Sequence, residues 1–134
     1  MNTIIVGCGK VGQKLTEKLS QEDNQNITVV DLRANVIQDI INRHDVMGVV
    51  GSGSSINTLL EAGIAEADIL IAVTGSDELN LLTCLIAKKA GNVKTIARVR
   101  KPEYSKELHL FKEDLGLAMI INPEYTAANE IARL

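Results

Sequence analysis

The sequence contains no tryptophan, one phenylalanine and two tyrosines among 134 residues, so it offers almost no aromatic surface on which bases can stack. It lacks an excess of positive charge as well: 14 lysines and arginines against 17 aspartates and glutamates leave a formal net charge of −3. Together these absences exclude nucleic acid as an expected partner. No apolar run approaches the roughly 20 residues of a membrane span, and the start lacks the basic stretch and apolar core of a secretory signal. Cys8 and Cys84 form no CxxC pair, and neither has a histidine nearby to complete a metal site, which fits a reducing cytoplasm. His44 and His109 stand in no ligand spacing and are expected on the surface.

What is present is apolar and ordered. Hydrophobic residues make up 46% of the chain, enough for one domain with one sizeable core, and the length leaves no room for a second, catalytic domain. Short β-branched runs alternate with longer stretches of helical period, the pattern of an α/β protein with a parallel sheet. Six strands are predicted, over 2–6, 27–31, 46–50, 69–73, 95–100 and 118–122. Their near-continuous Ile and Val content suits strands covered on both faces.

Helices are predicted over 10–20, 35–44, 56–62 and 78–90, the third stopping at Gly63 and the fourth at Gly91, where a left-handed residue is wanted. A fifth is expected from Pro102 to near Gly116. A sixth opens with Asn122 as N-cap and Pro123 at the first helical position. Its apolar stripe runs to Leu134 without a stop signal, so residues 1–134 are expected to be one domain at the N-terminal end of a longer protein. The fold class is therefore α/β, a doubly wound parallel six-stranded sheet of the Rossmann type in three αβα layers.

The first strand runs directly into Gly7-Cys8-Gly9-Lys10-Val11-Gly12 at the opening of the first helix. In a G-x-G-x-x-G turn the first glycine permits the tight bend, the second lets backbone approach a pyrophosphate, and the third lets helix and strand pack closely. The helix N-terminus then presents free N–H groups to phosphate. Such a turn can also be glycine-rich for packing alone. Asp31 adds the context: it ends the second strand 19 residues after Gly12, where a carboxylate can accept both ribose hydroxyls. That favours NAD(H), ATP or ADP over NADP, although Arg33 is a cation of the kind NADP sites use. Asp31 also suits a plain turn before the second helix.

Ligands of doubly wound sheets sit outside the carboxyl ends of the strands, where strand order reverses. The residues expected there are small, polar or cationic. Gly51, Ser52 and Gly53 leave space for an adenine edge, with Leu32 and Arg33 beside Asp31. Val73, Thr74 and Gly75 let the chain pass close to ribose or phosphates, and Arg98 can present a planar guanidinium to phosphate. Lys10 suits a terminal phosphate and a solvated first turn equally well. Arg98 and Arg100 share a strand face, and one of them can instead be a structural ion-pair partner. Glu78 joins the candidate cofactor set, although Ser76, Asp77 and Glu78 are equally what any helix start prefers. Cys8 is expected to pack in a turn that wants a small side chain, although its place near a helix N-terminus is one that can lower a thiol pKa.

With these residues in place, the chain resembles the KTN, or RCK-N, nucleotide-binding domains of Trk-type potassium uptake regulatory subunits, the TrkA family. Beyond the glycine turn and Asp31, the resemblance rests on Glu61-Ala62-Gly63-Ile64 with Ala67-Asp68, on Ile71-Ala72-Val73-Thr74 with Asp77, Glu78 and Asn80, on Ile96-Ala97-Arg98-Val99-Arg100 with Pro102-Glu103-Tyr104, and on Asn122-Pro123-Glu124. It implies a cytoplasmic protein, peripheral at the inner face of the plasma membrane, that forms homo-oligomeric dimers and rings beneath a membrane-embedded potassium-translocating subunit. It further implies NAD(H) or ATP/ADP in the cleft, and a divalent cation at an interface through Glu124. Ser52 and Lys10 depart from the family, which often has Asp or Asn at the first position and, in ATP-responsive members, Arg at the second. The leading function is thus a regulatory binding module and not an enzyme. The alternatives are the cofactor half of an NAD-dependent oxidoreductase, or a redox-sensing regulator without a channel.

Overall fold

In the computed structural model, which describes residues 1–101, Tyr104, Glu107, Leu108 and 119–121, strands and helices alternate along the chain. The elements are β1 (Asn2–Val6), α1 (Lys10–Ser20), β2 (Asn26–Asp31), α2 (Ala34–Arg43), β3 (Met47–Val50), α3 (Ile56–Glu61), a 3-10 turn over Ile64–Glu66, β4 (Ile69–Ala72), α4 (Asp77–Ala90), β5 (Lys94–Arg98) and β6 (Met119–Ile121). All pairings are parallel, and the strand order is β3-β2-β1-β4-β5-β6. The order reverses between β1 and β4, so the chain leaves those two neighbours in opposite directions and opens a crevice at their carboxyl ends. Of the expected fifth and sixth helices, Tyr104, Glu107 and Leu108 are helical, and the rest lies outside the described residues.

The unbroken apolar runs have a two-sided explanation. On one face Ile5, Val29 and Ile71 pack with Leu15, Leu19, Ile37 and Ile40 of α1 and α2. On the other, Ile4, Val6, Leu70 and Ala72 pack with Leu59, Cys84 and Ala87 of α3 and α4. Successive residues of one strand feed opposite cores, so neither phase can be polar.

Three element ends follow local chemistry, and two depart from the expectation, one at a helix and one at a strand. Ser76 caps α4 by accepting from the Leu79 amide, Ser55 caps α3 by accepting from Thr58, and Gly63 is left-handed at φ +89°. Gly91, expected to be left-handed, is extended at φ −160°. It is small for another reason: a Cβ there would lie 2.6 Å from the Ile64 carbonyl oxygen. The strand expected to reach Arg100 ends at Arg98. The Asp77 carboxylate accepts from the Arg100 amide at 3.0 Å and the Lys101 amide at 2.8 Å, and this draws the chain off the sheet. Arg98 and Arg100 accordingly do not share a strand face.

Candidate functional site

The turn after β1 is assembled from glycines with unequal duties. Gly7 has φ +104°, and a Cβ on it would meet the Thr74 amide nitrogen at 2.8 Å. Its missing side chain therefore lets the loop after β1 lie against the loop after β4. Gly12 is tighter still, with a Cβ position 1.8 Å from the Gly7 carbonyl oxygen. Gly9 differs from both: it is extended at φ −76°, and nothing lies within 4 Å of a Cβ built on it. The first bond of α1 runs from the Gln13 amide to the Gly9 carbonyl, so the amides ahead of it have no intrahelical acceptor.

Around this turn lies a cleft of about 350 Å³, within the size range of small-molecule sites. Gly7, Cys8, Gly9, Lys10 and Val11 form one side, and Asp31, Leu32 and Arg33 form the end beyond β2. Gly51, Ser52 and Gly53 close it beyond β3, while Val73, Thr74, Gly75 and Arg98 complete it beyond β4 and β5. Val6, Val30 and Leu79 also reach the lining and were not foreseen, because apolar residues at strand ends and helix starts are indistinguishable in sequence from core. Gly51 and Gly53 have packing reasons as well, since a Cβ would meet the Thr58 side chain at 2.5 Å or Val6 at 2.4 Å.

Two expected residues lie off the cleft. Gly12 is buried beneath it against Gly7. Glu78 lines a separate depression with Arg100 and Lys101, accepting from Lys101 Nζ at 2.6 Å and the Tyr104 hydroxyl at 2.9 Å. The Lys101 ammonium, aided by backbone and the Tyr104 hydroxyl, lowers the Glu78 carboxyl to about 2. Its bonds hold the segment that follows β5 against the start of α4. Glu124 lies outside the described residues, among which no group of three or more His, Cys, Asp or Glu could hold a metal ion.

Asp31 is the most heavily bonded group of the cleft. Its Oδ2 accepts from the Cys8 amide at 2.8 Å and Arg33 Nη2 at 3.1 Å, and its Oδ1 from the Arg33 amide and Arg33 Nε, both at 2.9 Å. Burial raises the carboxyl, but the Arg33 guanidinium and the two amides outweigh it and hold Asp31 below the usual carboxylate range. A group with a lowered folded pKa adds stability that is complete above its unfolded value of about 3.9 and is lost as pH falls through the folded one. Thermal stability of the protein is therefore expected to drop below about pH 4. In Asp31→Asn that acid limb should be shallower, and superimposable limbs for the two proteins would remove Asp31 from the account.

Cys8 follows the packing reading and not the helix-terminus one. Burial first, and the neighbouring Asp31 charge second, push its thiol up to about 12, so it is a packing residue. Cys84 is likewise raised to about 12 by burial.

Asn80 and Asp77 organise the far side of the cleft. The fully buried Asn80 amide accepts from the Thr74 amide at 2.8 Å and donates to the Thr74 carbonyl at 3.1 Å and the Arg98 carbonyl at 2.9 Å. It thereby seats the Thr74-Gly75 loop beside the end of β5. Arg98 Nη1 donates to the Thr74 carbonyl at 3.3 Å, and Arg100 Nη2 to the Gly75 carbonyl at 2.9 Å. A signal for Asn80 existed in the sequence, namely a weak helix former directly ahead of the apolar run Leu81-Leu82. Asp77 had none, because an acidic first turn is what any helix favours.

A parallel sheet that reverses order between β1 and β4, with a glycine turn on one side of the reversal and a strand-end acid beside it, defines a Rossmann-type domain. Comparison with known proteins places it further: the chain belongs to the TrkA-N domain family, which residues 3–123 match. The Trk system potassium uptake protein TrkA of Haemophilus influenzae is 42% identical over 137 residues, an alignment covering 100% of this chain and 30% of that protein's length. Among solved structures, the TrkA-N domain of the inner membrane protein ybaL from Escherichia coli superposes with a TM-score of 0.79 at 21% identity, covering 98% of this chain and 91% of that one. The GsuK channel bound to NAD superposes with a TM-score of 0.75 at 23% identity over 90% of this chain and 21% of that one, and the same channel bound to ADP with 0.74. No helix among the described residues is long and apolar enough to cross a membrane.

Proposed function

We propose that this domain binds an adenine nucleotide, NAD(H) or ATP/ADP, in the cleft between β1 and β4, and that occupancy regulates a membrane-embedded potassium-translocating subunit. The observation that carries the reading is the division among the glycines. Gly7 and Gly12 are demanded by packing, whereas Gly9 and Gly75 line the cleft with nothing within 4 Å of an added Cβ. No protein atom claims the space their side chains would fill, and a pyrophosphate lying on backbone needs that space. Asp31 would take the ribose at one end, with Arg98 and Lys10 reading phosphate charge. The names of the relatives and the NAD- and ADP-bound states of a structural neighbour support the same reading.

In this reading the chain is a sensor and not an enzyme, and acts as the nucleotide-binding part of a longer, homo-oligomeric cytoplasmic subunit seated at the membrane's inner face. A nucleotide shifts the gate only by its preference for one conformation, a coupling of about 1–3 kcal/mol in typical cases. Gly9→Ala separates fold from ligand. Its stability should change by less than about 1 kcal/mol, because the new methyl meets no protein atom. Its affinity for NADH and ADP, measured by calorimetry, should fall at least about tenfold. Unaltered binding would reject the pyrophosphate placement.

A further inference from the structure

The Asp31 carboxylate is fully engaged by the protein itself. Two oxygens offer about four acceptor positions, and four N–H groups point at them, two from backbone and two from the Arg33 fork. The backbone donors are fixed, one in the glycine turn and the other at the entrance to α2. The fork is not fixed: the Arg33 side chain is 57% exposed, while that of Asp31 is 8% exposed. A guanidinium presents two parallel N–H groups to a carboxylate, and the vicinal hydroxyls of a ribose present two O–H groups with similar spacing. One edge of the carboxylate cannot hold both.

We propose that Arg33 is an intramolecular stand-in for the ribose diol, occupying the outer acceptor positions of Asp31 until a nucleotide's two hydroxyls displace it. The inference rests on the adenine-nucleotide reading of the cleft and adds to it a residue that sets affinity and sugar selectivity. A fork that covers Asp31 most of the time lowers apparent affinity by the fraction of molecules left open. It also keeps the acid paired with a cation when the cleft holds no nucleotide. Arg33 therefore opposes ligands that carry a diol and is indifferent to those that lack one.

The test measures binding of ADP, 2′,3′-dideoxy-ADP, NADH and NADPH to the wild type and Arg33→Ala at equal ionic strength. ADP should bind the variant about fivefold tighter, corresponding to a fork closed in roughly four molecules of five. Dideoxy-ADP should change less than twofold. Arg33→Lys, which keeps the charge and loses the fork, should fall between the two proteins for ADP. Equal ADP affinity in wild type and variant, or equal gains for both nucleotides, overturns the proposal and leaves the nucleotide site standing. A loss of NADPH binding without a gain for ADP also overturns it, by making Arg33 a 2′-phosphate ligand. Failure of both proteins to bind ADP or NADH overturns the site reading itself, and the stand-in with it.

Discussion

Gly12→Ala is expected to lower stability by about 3 kcal/mol and the melting temperature by on the order of 10 °C. Two effects of opposite sign compete. Alanine is a better helix former than glycine by about 1 kcal/mol, and Gly12 lies inside α1, so propensity alone predicts a more stable protein. Packing predicts the reverse and is larger. The added methyl carbon would lie 1.8 Å from the Gly7 carbonyl oxygen and 2.8 Å from its carbon, and both are backbone atoms that no rotamer change can move aside. Relief requires α1 to retreat from the turn, which loosens Leu15 and Leu19 from their core against β1 and β2. Chemical unfolding that showed Gly12→Ala as stable as wild type would mean that the turn and helix separate freely. Gly9→Ala, three residues earlier in the same turn, is the internal control, since it adds the same methyl group to open space.

Asn80→Ala has the second largest expected effect, and it acts on stability and binding together. Removing the amide leaves the Thr74 amide and the Arg98 carbonyl without their side-chain partner, beside a residue with no exposed surface. Each buried group deprived of its partner costs about 1–3 kcal/mol, so a loss of about 3 kcal/mol is expected, seen as a fall of about 2 M in the urea midpoint. The Thr74-Gly75 loop loses its seat at the same time. Nucleotide affinity should fall about tenfold under conditions where the variant remains folded, because the phosphate-side wall is no longer held in place before binding. A normal urea midpoint would show that Asn80 spans the two strand ends without holding them.

How far the sequence predicted these features depended on the range of the interaction. Continuous Ile and Val runs announced strands buried on both faces, since a strand covered twice admits no polar phase, and both helical layers are present. The glycine turn and Asp31 were visible because the spacing of strand, turn and helix brings them together in any doubly wound sheet. Of the two readings of Cys8, packing in the turn holds and the lowered thiol does not, because a helix terminus is legible in sequence whereas burial and the Asp31 charge beside it are not. The end of β5 was misplaced because the carboxylate that ends it belongs to Asp77, more than twenty residues upstream.

The sequence by itself therefore determined the class of fold, the location of the cleft and most of its lining, because these follow from periodicity and from backbone demands within one β-α unit. Only the tertiary structure decided what each residue does there. It distinguished the glycines required for packing from Gly9 and Gly75, whose missing side chains leave open space, removed Glu78 to a neighbouring ion pair, and showed the Asp31 carboxylate already taken by Arg33. Those outcomes depend on distances of a few ångströms between segments remote in the chain, and periodicity holds no record of them.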